Sequence, residues 1–158
     1  MAKQKTEVKK TKTEVKKTNT AVKKTKSVVS SKKGKISLRR GDIVLVDFGQ
    51  KSTVKGSEQH GIRPAAILQN NTGNKFAPTT IVVPITKSTT KSKMPTHVHI
   101  AKEYLKNMTD AHDSIALLEQ VRTIDKSRII KHLGTHLKPD LLKEVDNALL
   151  ISIGLGGR

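Results

Sequence analysis

The sequence predicts a mainly β domain with a C-terminal helix, arranged as a small, partly open barrel and preceded by a disordered lysine-rich tail. Three observations carry this reading. Composition changes near Leu38, about five short runs rich in β-branched residues follow, and only the last segment repeats its apolar residues at helical spacing.

Residues 1–38 carry an internal repeat: TEVKKTK from Thr6, TEVKKTN from Thr13 and TAVKKTK from Thr20. A coiled-coil seam needs two apolar positions in each heptad, and here only Val8, Val15, Val22 and Val29 recur. Lysine repulsion and β-branched Thr and Val also weaken an isolated helix, so disorder is expected. The tail holds 13 Lys and two Glu, a net of +11 that leaves +7 for the domain at 39–158. It reads either as a non-specific RNA or DNA tether or as a solubilising extension. No aromatic residue in it offers a base a stacking surface.

The domain opens at the turn Arg39-Arg40-Gly41-Asp42, which leads into a strand at Asp42–Phe48 with partial alternation. A long Gly-bracketed loop, Gly49–Gly61, follows. The second strand is Pro64–Gln69, with proline at the first position because it has no N–H for an inner ladder. Asn70–Thr79 reads as a Gly- and Pro-containing turn, and Thr80–Ile85 as the third strand. After a polar linker, Lys87–Met94, the strand Thr96–Ile100 puts His97 and His99 on one face. Tyr104–His112 is a short connection, Ser114–Ile124 a buried strand, and Arg128–Leu137 a last strand broken at Gly134. From Pro139 and Asp140 a helix carries Leu141, Leu142, Val145, Ala148 and Leu149 and stops at Gly154.

Bulk chemistry narrows the function. A formal charge of +18 over 158 residues favours nucleic acid, an anionic membrane surface or an acidic protein as partner. The chain has no cysteine, hence no disulfide and no thiolate chemistry. No apolar run approaches the roughly 18 residues of a membrane span or forms a signal-peptide core, so a soluble cytoplasmic protein is expected. Asp110 with Asp113 resembles a turn or cap more than a paired-metal site. His97 with His99, and His132 with His136, lack the thiolate or carboxylate companions of zinc sites. No Walker-type glycine loop precedes a helix. The expectation is chemistry without metal or cofactor.

The informative stretch is Gly56–Thr86, in which the loop GSEQHG runs into Arg63-Pro64 and a second apolar run ends in the hydroxyl of Thr86. Groups at strand ends beside loops are where binding and catalysis concentrate. The four segments RRGDIVLVDF, GSEQHGIRP, VVPIT and LLEQVRTID together resemble the MazF/PemK family of toxin endoribonucleases, closest to its Gram-positive variants. The resemblance spans residues 39–155 in order and leaves out the tail. It implies an SH3-like barrel of the MazF/PemK/CcdB type and a homodimer. It also implies metal-free, sequence-specific cleavage of single-stranded RNA to a 2′,3′-cyclic phosphate and a 5′-hydroxyl. Arg63 and Thr86 would be the catalytic pair, and Ser57 and Gln120 RNA contacts, with Gln59, Asn70 and Arg122 completing the RNA-binding set. The acidic disordered tail of a cognate antitoxin would occupy the same groove.

Residue chemistry agrees in part. The nucleophile in RNA self-cleavage is the neighbouring 2′-hydroxyl, so the enzyme aligns it, moves protons and stabilises the phosphorane. Arginine's planar fork suits the last task. A threonine hydroxyl is a poor base, so Thr86 reads better as a site residue than as a proton carrier. His60 has an imidazole fit for acid–base work, against the plainer reading of an exposed loop histidine. Taken singly, Arg63 would be a strand-entry salt bridge, Thr86 an ordinary strand residue, Gln120 and Arg122 solvated rim residues, and Phe48 and Phe76 packing residues, although Phe76 follows a turn and could meet a base. Two other functions stay open: a non-catalytic toxin that traps a protein target such as gyrase, and a nucleic-acid binder driven by the tail.

Overall fold

The computed structural model describes residues 37–53, 56–87 and 94–156, so the expectations for the tail up to residue 36 and for most of the linker after Lys87 lie outside the described residues. Seven strands form one antiparallel sheet: β1 (Asp42–Asp47), β2 (Ile62–Ile67), β3 (Thr79–Thr86), β4 (His97–Ile100), β5 (Ser114–Leu117), β6 (Arg122–Asp125) and β7 (Ile129–His136). Their order is β4-β5-β3-β2-β1-β7, with β6 also paired to β3. Two α-helices complete the domain, the short α1 (Asn71–Phe76) and the C-terminal α2 (Pro139–Ser152). Among the described residues no helix is long and apolar enough to cross a membrane.

The strands bury both faces. Ile43 of β1, Ala66 of β2 and Val83 and Ile85 of β3 pack toward Val145 and Ala148 of α2. Their neighbours Val44, Val46, Ala65, Ile67 and Val82 join Leu38, Phe48, Ile124 and Ile129 in a second cluster. Two-sided burial explains why β2 and β3 read as continuous apolar runs and β1 alternates only partially. Phe48 packs as expected, whereas Phe76 is 73% exposed and packs into neither cluster.

Two further expectations need correction. Asn70–Thr79 is not only a turn: Asn70 caps α1, its Oδ1 accepting the Gly73 N–H at 2.8 Å, and buried Asn74 bonds Gln69 and Thr80. Ser114–Ile124 is not one strand but β5, a 3₁₀ turn at Leu118–Gln120, and β6. The cause lies in the partner strand. The Leu68 N–H donates to Ile81 C=O, so odd-numbered residues of β3 turn their backbone groups to β2 and even-numbered ones to the other edge. Pro84 is even-numbered and has no N–H to offer there. The ladder on that edge is accordingly interrupted between the β6 pairing at Val82 and the β5 pairing at Ile85.

Strands β4 and β7 do not pair with each other among the described residues. The gap is bridged by side chains: Thr135 Oγ1 donates to Tyr104 C=O at 2.6 Å, and Asn107 Nδ2 donates to Leu133 C=O. The barrel is therefore partly open, as expected.

At the start of β1, Asp42 is buried, its side chain 2% exposed, between two histidines of β7. Oδ1 lies 3.0 Å from His136 Nδ1, Oδ2 lies 3.1 Å from His132 Nε2 and 2.7 Å from the Arg39 N–H. His132 Nδ1 accepts the Gly134 N–H at 2.8 Å, which leaves Nε2 to carry the proton toward Asp42. Burial alone would raise the Asp42 pKa, but the bonds from His136, Arg39 and His132 outweigh it and hold the carboxyl below its ordinary value of 3.8. With a depressed folded-state pKa, the carboxylate's stabilisation is fully present above 3.8 and is lost as pH falls through the lower folded value. Asp42→Asn should cost about 1–3 kcal/mol in urea unfolding at pH 7. It should also flatten the loss of stability below about pH 4; unfolding profiles parallel to wild type would show that the clasp is not its source.

Candidate active site

Arg63 is the second residue of β2, opposite Val46 of β1, and Thr86 is the last residue of β3, opposite Ile115 of β5. The loop before β2 turns at Gly56 and Gly61, both at positive φ, where a side chain would be strained. This turn brings the His60 carbonyl to 2.6 Å from Arg63 Nε, and Arg63 Nη1 reaches Thr86 Oγ1 at 3.4 Å. Both contacts are to neutral oxygens. Among the described residues no carboxylate pairs with Arg63, so the strand-entry salt bridge suggested by the sequence is not formed.

Arg63 and Thr86 share a cleft of about 360 Å³ that also takes in His60, Lys87, Asp110 and His112. Thr86 also borders a second hollow of about 320 Å³ with Ser57, Gln59, His97, Glu119 and Gln120. Ser57, Glu119 and Gln120 in turn border a third, of about 510 Å³, that ends at Arg122. The three share walls and form one groove. Its lining carries three cations, Arg63, Lys87 and Arg122, and three carboxylates, Glu58, Asp110 and Glu119.

Gln120 and Arg122 do not face solvent as plain rim residues. Gln120 Oε1 accepts the Gln59 N–H at 2.9 Å and its Nε2 donates to Ser57 C=O at 3.3 Å. Arg122 donates to Gln59 C=O and lies 4.7 Å over the Phe48 ring. Burial pulls the Arg122 pKa down, Glu58 opposes this, and Arg128 adds to it. The two side chains thus fasten the loop that carries Ser57, Gln59 and His60. Among the described residues Gln59 Oε1 is buried there without a hydrogen-bond partner.

The other sequence-predicted residues divide. His60 lines the Arg63 cleft, its Nδ1 3.3 Å from Glu58 C=O. Asn70 lies beyond the far end of β2, capping α1, and lines none of the three hollows. Missed by the sequence were the groove pairs Lys87–Asp110 and His97–Glu119, the latter at 3.0 Å with the His97 side chain 1% exposed. Their members are 22 or 23 residues apart, so local pattern carried no signal. Among the described residues no group of three or more His, Asp or Glu is placed to hold a metal ion.

Comparison with known proteins places this geometry. Residues 39–153 match the family described as PemK-like, MazF-like toxin of type II toxin-antitoxin system. The Endoribonuclease MazF of Staphylococcus saprophyticus is 52% identical over 114 residues, 72% of this chain and 89% of that protein. The crystal structure of MazF from Deinococcus radiodurans superposes with a TM-score of 0.61 at 23% identity, over 75% of this chain and 98% of that one. A MazE-MazF structure from the same organism gives 0.58 at 23% identity, over 77% and 99%. At that identity the two structures establish the fold. The family match and the staphylococcal relative go further: the chain belongs to the PemK/MazF family of type II toxin–antitoxin toxins.

Proposed function

We propose that this chain is the endoribonuclease toxin of a type II pair and cuts single-stranded RNA at a short sequence, without metal, by attack of the 2′-hydroxyl on the adjacent phosphate. Endoribonuclease activity follows from family membership and from 52% identity to a staphylococcal Endoribonuclease MazF across 89% of its length. The observation that carries the mechanism is Arg63, a guanidinium in a cleft wall with only neutral partners among the described residues, 3.4 Å from the Thr86 hydroxyl. An arginine without a carboxylate is available to a phosphate. As the 2′-oxygen bonds to phosphorus and the bond to the 5′-oxygen breaks, charge grows on the non-bridging oxygens. Arg63 stabilises that charge, and Thr86 hydrogen-bonds the same phosphate or aligns the guanidinium. A cyclic phosphate and a 5′-hydroxyl result.

Ser57, Gln59, Gln120 and Arg122 belong to this reading at two levels. The loop residues Ser57 and Gln59 meet RNA, while Gln120 and Arg122 hold the loop in place. The relative from Deinococcus radiodurans is known with MazE. Here an acidic disordered segment of a cognate antitoxin would lie in the groove, favoured by the domain's +7 charge. A homodimer and a cytoplasmic location, where mRNA is met, complete the proposal.

The test uses the full chain in excess EDTA on a long single-stranded RNA, with product ends mapped. Cuts at one short motif with cyclic phosphate ends are expected. Arg63→Ala should lower turnover about 10²–10³-fold, and a deoxynucleotide at the cut site should abolish cleavage. A folded chain that binds RNA and never cuts it would end this reading in favour of a protein-trapping toxin.

Gln120→Ala and Arg122→Ala should each speed hydrogen exchange of the loop amides and weaken RNA binding, by about thirtyfold for the two bonds of Gln120 and about fivefold for the one of Arg122 at roughly 1 kcal/mol per lost bond. Unchanged exchange would show that the loop holds itself. Removing residues 1–38 should flatten the salt dependence of cleavage and leave the cut sequence unchanged; loss of all cutting would favour a tail-driven binder.

A further inference from the structure

One wall of the Arg63 cleft is made by Leu105, Met108, Asp110 and His112, with Lys87 beside Thr86. Here the Asp110 carboxylate is shared. Its Oδ2 accepts from Lys87 Nζ, and its Oδ1 lies 3.4 Å from His112 Nδ1. The His112 backbone is held as well, its carbonyl accepting the Ser114 hydroxyl at 3.0 Å. At 3.4 Å the Asp110–His112 approach is an ion-pair contact from a carboxylate 75% exposed, and it favours the tautomer with the proton on Nδ1, which leaves Nε2 as the acceptor nitrogen. The hydrogen bond from Lys87, and then its charge, hold the Asp110 carboxyl below its ordinary range, with a smaller contribution from His112. Asp110 therefore stays ionised near neutral pH and is available to stabilise an imidazolium.

The nuclease reading leaves one chemical task without an owner. A guanidinium does not give up its proton and a threonine hydroxyl is a poor base, so neither Arg63 nor Thr86 removes the 2′-hydroxyl proton. Imidazole is the side chain suited to it near neutrality. His60 also lines the cleft, but it is bonded to a backbone carbonyl and no carboxylate orients it among the described residues. His112 has such a carboxylate.

Resting on the nuclease reading above, we propose that His112 is the general base of the reaction, taking the 2′-hydroxyl proton on Nε2, with Asp110 as its positioning residue. The 2′-oxygen then forms its bond to phosphorus and the electron pair of the breaking bond leaves on the 5′-oxygen. That oxygen takes a proton from water, and imidazolium returns its proton to the hydroxide so formed. The charged and titratable groups around His112 are Asp110 and Lys87 on one side and Arg63 and His60 across the same cleft, with Asp113 adjacent in sequence. Asp113 is engaged elsewhere, accepting the Lys102 N–H at 2.9 Å and lying 3.9 Å from His99.

The experiment compares the full chain with His112→Gln, Asp110→Asn, His60→Gln and Arg63→Ala on an RNA oligonucleotide carrying the mapped cut site, from pH 5 to 9. Each variant's thermal melt is checked first. His112→Gln should lower kcat about 10²–10³-fold with KM within about twofold of wild type, and remove the acid limb of the pH profile between about pH 5 and 8. The defect should persist when the 5′-oxygen is replaced by sulfur, a leaving group that needs no proton. Asp110→Asn should lower kcat about tenfold and shift that limb, whereas in His60→Gln the acid limb should remain. The proposal is overturned if folded His112→Gln cuts within about twofold of wild type, if only KM changes, or if sulfur restores its rate. Each of these leaves the nuclease reading intact provided Arg63→Ala is inactive. Failure of the wild-type chain to cut any RNA would instead remove the nuclease reading itself.

Discussion

The structure depends on the pairing of β3. This eight-residue strand bonds β2 along one edge and both β6 and β5 along the other, so three neighbours take their register from it. Its last residue is Thr86. A residue at the end of a strand with three partner strands has little freedom, and its hydroxyl is a fixed point against which Arg63 is set. The missing donor at Pro84 adds a second consequence, because the stretch that leaves the ladder there carries Glu119 and Gln120 into the groove. A single imino acid inside β3 thus shapes a wall made by a distant segment.

Rigid strands and a fastened loop divide the work of the site. Arg63 and Thr86 sit on the sheet, whereas Ser57, Gln59 and His60 sit on a loop with three positive-φ glycines, Gly49, Gly56 and Gly61. Such a loop would wander if nothing held it. Gln120 and Arg122 supply that hold from 61 to 63 residues away, and the stacking of Arg122 on Phe48 anchors the arginine itself to the barrel. The position of the loop therefore depends on side chains that are distant from it in sequence.

The sequence showed what is written locally. Alternation and turn residues placed β1, β2, β3 and β7 within a residue or two, helical spacing placed α2, and the four matched segments brought Arg63 and Thr86 together. What it hid was non-local or very short. The six-residue α1 contains Gly73 and relies on the Asn70 cap, too little for periodicity to register. The break between β5 and β6 is caused by a proline on another strand. The loop-fastening role of Gln120 and the Lys87–Asp110–His112 cluster need contacts across more than 20 residues. Phe76 was read as packing from its residue type, yet neighbours decide burial, and α1 leaves it exposed.

The side-chain closure of the barrel bears on how the Arg63 cleft is held. Asn107 ties to β7 through the Leu133 carbonyl, and a few residues later the same segment supplies Asp110 and His112 to the cleft. Where strands pair, a ladder of bonds spreads any load across many residues; here two bonds carry it at discrete points. The seam is thus the compliant line of the barrel, and the His112 wall hangs from one of its two stitches. Loss of the Asn107 bond would therefore loosen the His112 wall of the cleft as well as the seam.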